Sequence, residues 1–252
     1  MAKTRALAES GGTKVLPSSA SVVGFSFMDP RILPFAAYMA FIILAAGLAW
    51  LGEQGQFSSS DLHRWELWLY PIKTAVVMAL LITYWPRYDE LKDGLLSNLA
   101  HLAEALAVGV VAYAAWVRMD WSWATQGSTP TGYDPSDAGS TAPLLMAMRL
   151  FGASMVVPIM EELFWRSFLI RYIDASNYLT GRIGVFSLKA GLITVVLFGL
   201  EHQLWLAGMM AGAAYTLLLY RTQRLWPCVV AHGTTNLILG IHVLVTGEWQ
   251  WW

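Results

Sequence analysis

The feature that most constrains this chain is a succession of apolar runs, each close to the length of a membrane-crossing helix. A helix needs about 20 apolar residues to cross a hydrocarbon core. Apolar residues make up 56% of the 252 residues and charged residues only 13%, a balance unlike that of ordinary soluble domains. Lipid leaves only helices and closed barrels able to satisfy their own backbone. The runs therefore predict an all-α, polytopic transmembrane helical bundle of about seven spans, roughly six to eight. The predicted spans are 32–52, 67–85, 95–117, 142–172, 186–204, 205–220 and 226–246.

The runs also set the predicted domain organisation. Residues 1–28 are rich in Ser and Gly and contain no long apolar block, which predicts a disordered cytoplasmic tail. Residues 29–252 are predicted to form one transmembrane helical domain, with its functional core at about 142–246. The fourth run is too long for one upright crossing, so it should be tilted, lie partly in the interface or be interrupted near Pro158.

Charge sets the predicted orientation and excludes some partners. Lysine and arginine accumulate in short cytoplasmic loops. With the amino terminus in the cytoplasm, that side collects Lys3, Arg5, Lys14, Arg87, Lys92, Arg171, Arg182, Arg221 and Arg224, whereas Arg64 and Arg118 lie opposite. The carboxyl terminus is then external. A net charge of −1 gives no reason to expect nucleic acid as a partner, and the single cysteine, Cys228, excludes an internal disulfide.

Three polar clusters interrupt the predicted spans, and charge at bilayer depth usually marks a functional site. They are Glu161, Glu162 and Arg166 in "EELFWR", Glu201 and His202 in "FGLEH", and His232 and Asn236 in "HGTTN". Residues four apart share a helix face, so Glu162 can meet Arg166, and His232 can project beside Asn236. A carboxylate with an imidazole can activate water, and a second imidazole with an amide can stabilise an oxyanion. The clusters therefore predict peptide hydrolysis without a nucleophilic side chain.

The same three motifs carry a family resemblance. In this order they fit Glu-Glu-x-x-x-Arg, Phe-x-x-x-His and His-x-x-x-Asn, so the chain resembles the CAAX protease and bacteriocin-processing (CPBP, Rce1-like/Abi) family of intramembrane proteases. The resemblance implies Glu161 as the water-activating base, His202 as its partner, and His232 and Asn236 as oxyanion stabilisers. Glu162 and Arg166 would be a supporting pair. Ser167 departs from the commonest family pattern, which has Gly after the arginine.

The resemblance also implies the surroundings of the enzyme. It predicts a multi-pass protein of the bacterial inner membrane, in contact with membrane lipid and without a cofactor. The substrate would be a protein or peptide cut near its membrane-proximal or C-terminal part, and it would be lipidated or carry a C-terminal membrane anchor.

Two alternatives stay open at this stage. Glu161, Glu162, His202 and His232 could instead be ligands of a catalytic zinc ion, because carboxylates and imidazoles are zinc ligands. The chain could also be a non-catalytic membrane scaffold or immunity protein that uses the same polar cavity, since fold and function separate readily.

Overall fold

The computed structural model describes residues 28–127, 132–175 and 177–252, and in these residues all regular structure is helical. The predicted tail, residues 1–28, lies outside the described residues except for Met28. Seven helical segments match the seven predicted runs, and the fourth is a chain of three α-helices. The α-helices are α1 (Leu33–Glu53), α2 (Ser59–Tyr84), α3 (Leu99–Trp116), α4 (Ala142–Phe151), α5 (Val157–Glu162), α6 (Ile170–Asp174), α7 (Leu188–Leu200), α8 (Trp205–Thr222) and α9 (Leu225–Thr246). The prediction of an all-α polytopic bundle is confirmed.

The outer surface of the bundle is apolar, as lipid requires. Five helical stretches are long and apolar enough to cross a membrane: Leu33–Glu53, Ser60–Arg87, Leu99–Trp116, Gly139–Asp174 and Leu225–Thr246. Their outward faces expose large aliphatic side chains, among them Ile43, Ile82 and Val111. By contrast, Glu162 and Arg166 are completely buried. The molecule thus keeps apolar groups outside and places charge inside, the reverse of a soluble protein.

Two π-helical turns interrupt the fourth run, at Gly152–Val156 and Leu163–Leu169. The interruption predicted near Pro158 is present as the first of these turns. Proline has no N–H group, so Pro158 cannot donate to the carbonyl of Ser154 four residues earlier, and the backbone there is free to leave α-helical geometry. π-helical turns are rare and concentrate at functional sites. Here the two turns flank α5, which carries Glu161 and Glu162.

α7 ends early, so the predicted span 186–204 is too long. The helix begins after Ser187, whose hydroxyl caps the Ala190 N–H, and ends at Leu200. α8 then packs tightly against it: a Cβ atom on Gly199 would lie 2.7 Å from the Trp205 carbonyl oxygen. This close approach leaves only a short turn, residues 201–204, between the two helices. The turn brings His202 back into the bundle.

An ion-pair network joins the segments that were predicted to be cytoplasmic. Arg31 donates from Nε and Nη2 to both carboxylate oxygens of Glu90, each at 2.7 Å. Ser167 donates to Glu90 and accepts from Arg171. The hydroxyl that distinguishes Ser167 from the usual glycine therefore links the end of the fourth run to the α2–α3 connection. The basic residues converge at one end of the bundle, while the orientation of that end in a membrane stays a prediction.

Glu90 should make the protein acid-sensitive. Burial alone raises the pKa of Glu90, but the hydrogen bonds and charge of Arg31, with the Ser167 hydrogen bond, bring the pKa below its ordinary value of 4.5. A carboxyl whose pKa is lowered by folding stabilises the protein above its unfolded pKa, and the contribution disappears as pH falls through the folded pKa. We expect the melting temperature to decrease as the pH is lowered past about 4.5.

Glu90→Gln should lower the free energy of unfolding by roughly 3 kcal/mol at neutral pH, because Arg31 keeps a buried charge without its partner. Thermal melts of both proteins from pH 7 to pH 3 measure this, and equal slopes below pH 4.5 would contradict it.

Candidate active site

A cavity of about 220 Å³ inside the bundle brings the three sequence motifs together. Glu161, His202, His232 and Asn236 all line it. They come from α5, from the turn after α7 and from α9, so segments far apart in sequence contribute to one pocket. Its wall is largely aromatic, with Tyr38, Tyr70, Trp116, Phe198, Tyr215, Trp251 and Trp252.

Glu161 is a buried carboxylate with an uncommitted oxygen. Its side chain is only 7% exposed. Its Oε2 atom makes no hydrogen bond within the described structure, and the nearest basic atom is Nε2 of His232 at 4.0 Å. Buried polar atoms are almost always hydrogen-bonded, so a buried carboxylate oxygen facing a cavity needs a partner that the protein itself does not supply. Water or a substrate can be that partner.

His202 is fixed with one ring nitrogen engaged. Nδ1 lies 2.7 Å from the carbonyl oxygen of Phe198, which can only accept, so Nδ1 carries the hydrogen. In the neutral imidazole Nε2 is then an acceptor. The turn that carries His202 is held from the α3–α4 connection, where the Gln126 side-chain amide donates to the carbonyl oxygens of Leu200 and His202 at 2.9 and 2.7 Å. The sequence did not indicate this role of Gln126, because no pattern in a long polar loop shows which of its residues reaches the site.

Glu162 is the centre of a buried network with Arg166 and His232. Its Oε1 atom accepts from Arg166 Nη1 at 3.0 Å, which confirms the predicted pairing, and from His232 Nδ1 at 2.9 Å. The Arg166 guanidinium also lies 4.3 Å from the Phe198 ring centroid, and its Nη2 donates to the Gly212 carbonyl oxygen at 3.3 Å. The sequence placed Glu162 only beside Arg166. The contact with His232 was not predicted, because it joins two helices that are far apart in the sequence.

The geometry of this network defines the hydrogen-bonding roles of His232. A carboxylate that already accepts from Arg166 is an acceptor toward the imidazole as well, so Nδ1 of His232 donates. The imidazole ring also stacks on Tyr215, with centroids 5.2 Å apart and planes 19° apart. Tyr215 in turn donates to Thr235 Oγ1 at 2.7 Å. Nε2 of His232 is left as the nitrogen that faces the cavity and Glu161.

Asn236 lies one turn further along α9. Its Nδ2 atom donates to the carbonyl oxygen of Ala153 at 2.9 Å. Ala153 belongs to the first π-helical turn, so the irregular backbone supplies an acceptor that orients the amide. One hydrogen of the amide group remains for a ligand. Thus His232 and Asn236 share a helix face, as their spacing predicted.

The described residues contain no group of three or more His, Cys, Asp or Glu side chains placed to hold one metal ion together. Of the four possible zinc ligands, Glu162 is engaged by Arg166 and His232, and His202 uses Nδ1 on the backbone. Glu161 has its free oxygen.

Comparison with known families gives one match, and it falls on the elements that build this cavity. Residues 143–238 match the family described as Type II CAAX prenyl endopeptidase Rce1-like. The resemblance inferred from the three motifs is thereby confirmed for this segment. No curated protein and no solved structure matches the chain.

The Rce1-like segment contains every residue that the motifs singled out. It begins in α4 and ends in α9, and includes both π-helical turns, Glu161, His202 and Asn236. α1, α2 and α3 lie outside it, as does Gln126. The description of the family names an endopeptidase.

Proposed function

We propose that this protein is an intramembrane endopeptidase in which Glu161 and His202 activate a water molecule. The observation that carries the proposal is the cavity itself: a buried carboxylate oxygen without a partner shares it with the imidazoles of His202 and His232 and the amide of Asn236. The Rce1-like match supports an endopeptidase activity. The substrate is a protein or peptide that reaches the site from the membrane, with a lipid group or a C-terminal anchor to hold it there.

The acceptor geometry indicates how water would be held. A water molecule has two hydrogens to donate, and Glu161 Oε2 and His202 Nε2 are two free acceptors lining one cavity. Held in this way, the water directs an oxygen lone pair at the scissile carbonyl carbon. As the new carbon–oxygen bond forms, Glu161 takes the proton, and the carbonyl electrons move onto oxygen. When the carbon–nitrogen bond breaks, Glu161 returns that proton to the leaving amine.

Two hydrogen-bond donors would stabilise the oxyanion. Asn236 offers the N–H that is not used on Ala153. His232 donates Nδ1–H to Glu162, so it can donate from Nε2 only as an imidazolium. In this proposal Arg166 holds Glu162 in position, Glu162 orients His232, and Arg166 thereby acts on the oxyanion indirectly. Preorganised donors of this kind typically contribute about 10²–10³-fold each.

Cells provide the test because the substrate is not identified. We expect proteins whose cleaved termini appear with the intact enzyme to remain uncut with His202→Ala, since cleavage should fall about 10²–10⁴-fold when the water loses its second acceptor. Quantitative mass spectrometry of membrane-protein termini measures this. Arg182→Ala, at an exposed loop position, is the matched control. An identical set of termini in the parent and the His202 variant would reject the proposed function.

Metal dependence separates this mechanism from the zinc alternative. Under the glutamate mechanism, the purified enzyme should keep its activity after prolonged treatment with a strong chelator. The reason is that Glu161 and His202 hold the water and Glu161 transfers its proton without a metal ion. Metal analysis of the active protein accompanies the assay. Loss of activity that returns only with added zinc would assign the same residues to a metal site.

A further inference from the structure

Two cations lie beside the candidate active site without an anionic partner. Lys73, near the middle of α2, is only 9% exposed. Arg149, in α4, has a buried Nε atom that makes no hydrogen bond. Among the described residues, no carboxylate oxygen lies within 4.0 Å of a side-chain nitrogen of either residue. In the part of the chain that the structure describes, the other buried lysine or arginine side chains are Arg31 and Arg166, and each has a carboxylate partner.

Tyrosine rings hold the two cations in place. Lys73 Nζ lies 3.8 Å from the centroid of Tyr38 and 5.0 Å from that of Tyr70. The Arg149 guanidinium lies 4.1 Å from the centroid of Tyr70 and 5.5 Å from that of Tyr133. Cation–π contacts stabilise a cation by far less than the cost of removing its charge from water. The tyrosines orient the cations but do not neutralise them.

The position of the pair ties it to the site. Arg149 lines the cavity that contains Glu161 and His202, and it also lines a neighbouring cavity of about 420 Å³ together with Lys73 and the exposed Glu66, whose carboxylate is more than 4.0 Å from both basic side chains. Tyr70 and Trp252 line both cavities as well. Lys73 and Glu161 therefore line two cavities that have Arg149 in common.

We infer that Lys73 and Arg149 form a subsite that binds a carboxylate of the peptide substrate next to the scissile bond. The inference rests on the proposed function and adds a specificity to it. Lys73 is buried and the Nε atom of Arg149 is buried without an acceptor, so an anion that reached both would complete them. A peptide carries carboxylates in its acidic side chains and at its free end. Arg149 offers a planar guanidinium suited to such a group, and Lys73 adds a second charge. Neither residue touches the reacting atoms, so both are specificity-determining residues.

The test is cleavage of a peptide library by the purified full-length enzyme in neutral lipid vesicles, with products sequenced by mass spectrometry. Each peptide is supplied with a free carboxyl end and as the carboxyl-terminal amide, and acidic residues are varied along the sequence. For the parent we expect cleaved peptides to be enriched in a carboxylate at one fixed distance from the cut, by about 10-fold or more over the neutral partner. Arg149→Gln and Lys73→Met should lose this enrichment while still cutting neutral peptides. Arg149→Lys, which keeps the charge, should keep part of it.

A thermal melt distinguishes a substrate-binding role from a structural one. Removing an unpaired buried cation removes a destabilising charge, so Lys73→Met should melt no lower than the parent. A marked loss of stability in Lys73→Met would show that the lysine has a structural partner and would overturn the subsite.

Other outcomes of the peptide-cleavage assay separate failure of the subsite from failure of the proposed function. Equal enrichment in the parent and both variants, or cleavage by the parent without any preference for a carboxylate, would overturn the subsite and leave the peptidase standing. Activity that instead requires phosphatidylglycerol vesicles, with the requirement lost in Arg149→Gln, would assign the cations to a lipid phosphate and also overturn it. A parent that cuts no peptide at all, like Glu161→Gln, would reject the proposed function and the subsite with it.

Discussion

Glu161→Gln should abolish peptide cleavage while the protein stays folded in the membrane. Glutamine keeps the shape of the side chain and its capacity for hydrogen bonding, but it cannot take a proton from water. General-base removal typically costs about 10²–10⁴-fold in rate. Because Glu161 Oε2 makes no hydrogen bond to any residue that the structure describes, the substitution breaks no hydrogen bond of that oxygen there. Cleavage rate and melting temperature are measured on the same purified, reconstituted protein.

The neighbouring glutamate provides an internal contrast. Glu162→Gln replaces the next residue by the same amide, but it removes the negative charge that faces both Arg166 and His232. It should lower stability as well as activity, whereas Glu161→Gln lowers activity alone. Glu53→Gln, at the exposed end of α1, controls for the exchange itself. Near-parental cleavage by Glu161→Gln at matched expression would remove the catalytic assignment and favour the scaffold alternative.

Arg166→Ala should lower the free energy of unfolding by about 3–5 kcal/mol, because it leaves Glu162 buried without its counter-charge. Both side chains are completely inaccessible, so water cannot replace the arginine. The variant also loses the hydrogen bond to the Gly212 carbonyl oxygen and the contact with Phe198. Activity should fall further than stability alone explains, since Glu162 no longer orients His232.

Denaturant titration in mild detergent measures the change in stability, and peptide cleavage is followed at a temperature where both proteins are folded. Arg182→Ala removes an arginine from an exposed loop and should change neither quantity. A variant that unfolds at the same denaturant concentration as the parent would show that Arg166 is hydrated, contrary to the network described above.

The sequence predicted the helices well because lipid imposes a simple rule on composition. Runs of about 20 apolar residues must be helical when no water can satisfy the backbone. The seven runs accordingly overlap the seven helical segments, although α2 begins at Ser59, well before its predicted start at residue 67, and α7 is shorter than its run. Its early end depends on the contact of Gly199 with α8, and a hydropathy pattern contains no information on such a contact.

The sequence predicted which residues form the candidate site, but it did not predict the hydrogen bonds between them. Charge in an apolar run is costly, so Glu161, Glu162 and Arg166 stood out at once, and their motif spacing led to His202, His232 and Asn236. The catalytic roles of these residues stay predictions. The hydrogen bond between Glu162 and His232 joins residues 70 apart, and only the packing of α5 against α9 produces it. Arg149 and Gln126 lie outside the motifs, so nothing in the sequence linked them to the site.

The two π-helical turns beside α5 mean that the fourth run is not in one helical register. Each turn with i→i+5 bonding takes one more residue than an α-helical turn, so the faces before and after it are offset by about 100°. A helical wheel drawn through 142–174 therefore assigns residues to the wrong sides of the rod. Deleting one residue from Gly152–Val156 would restore a regular α-helix and leave the apolar length adequate for the bilayer, yet it would rotate Glu161 relative to Arg149. In an alignment with other sequences, a one-residue gap at this position therefore means that the side chain of Glu161 lies on a different face of the helix. This holds even where every residue of the motif is retained.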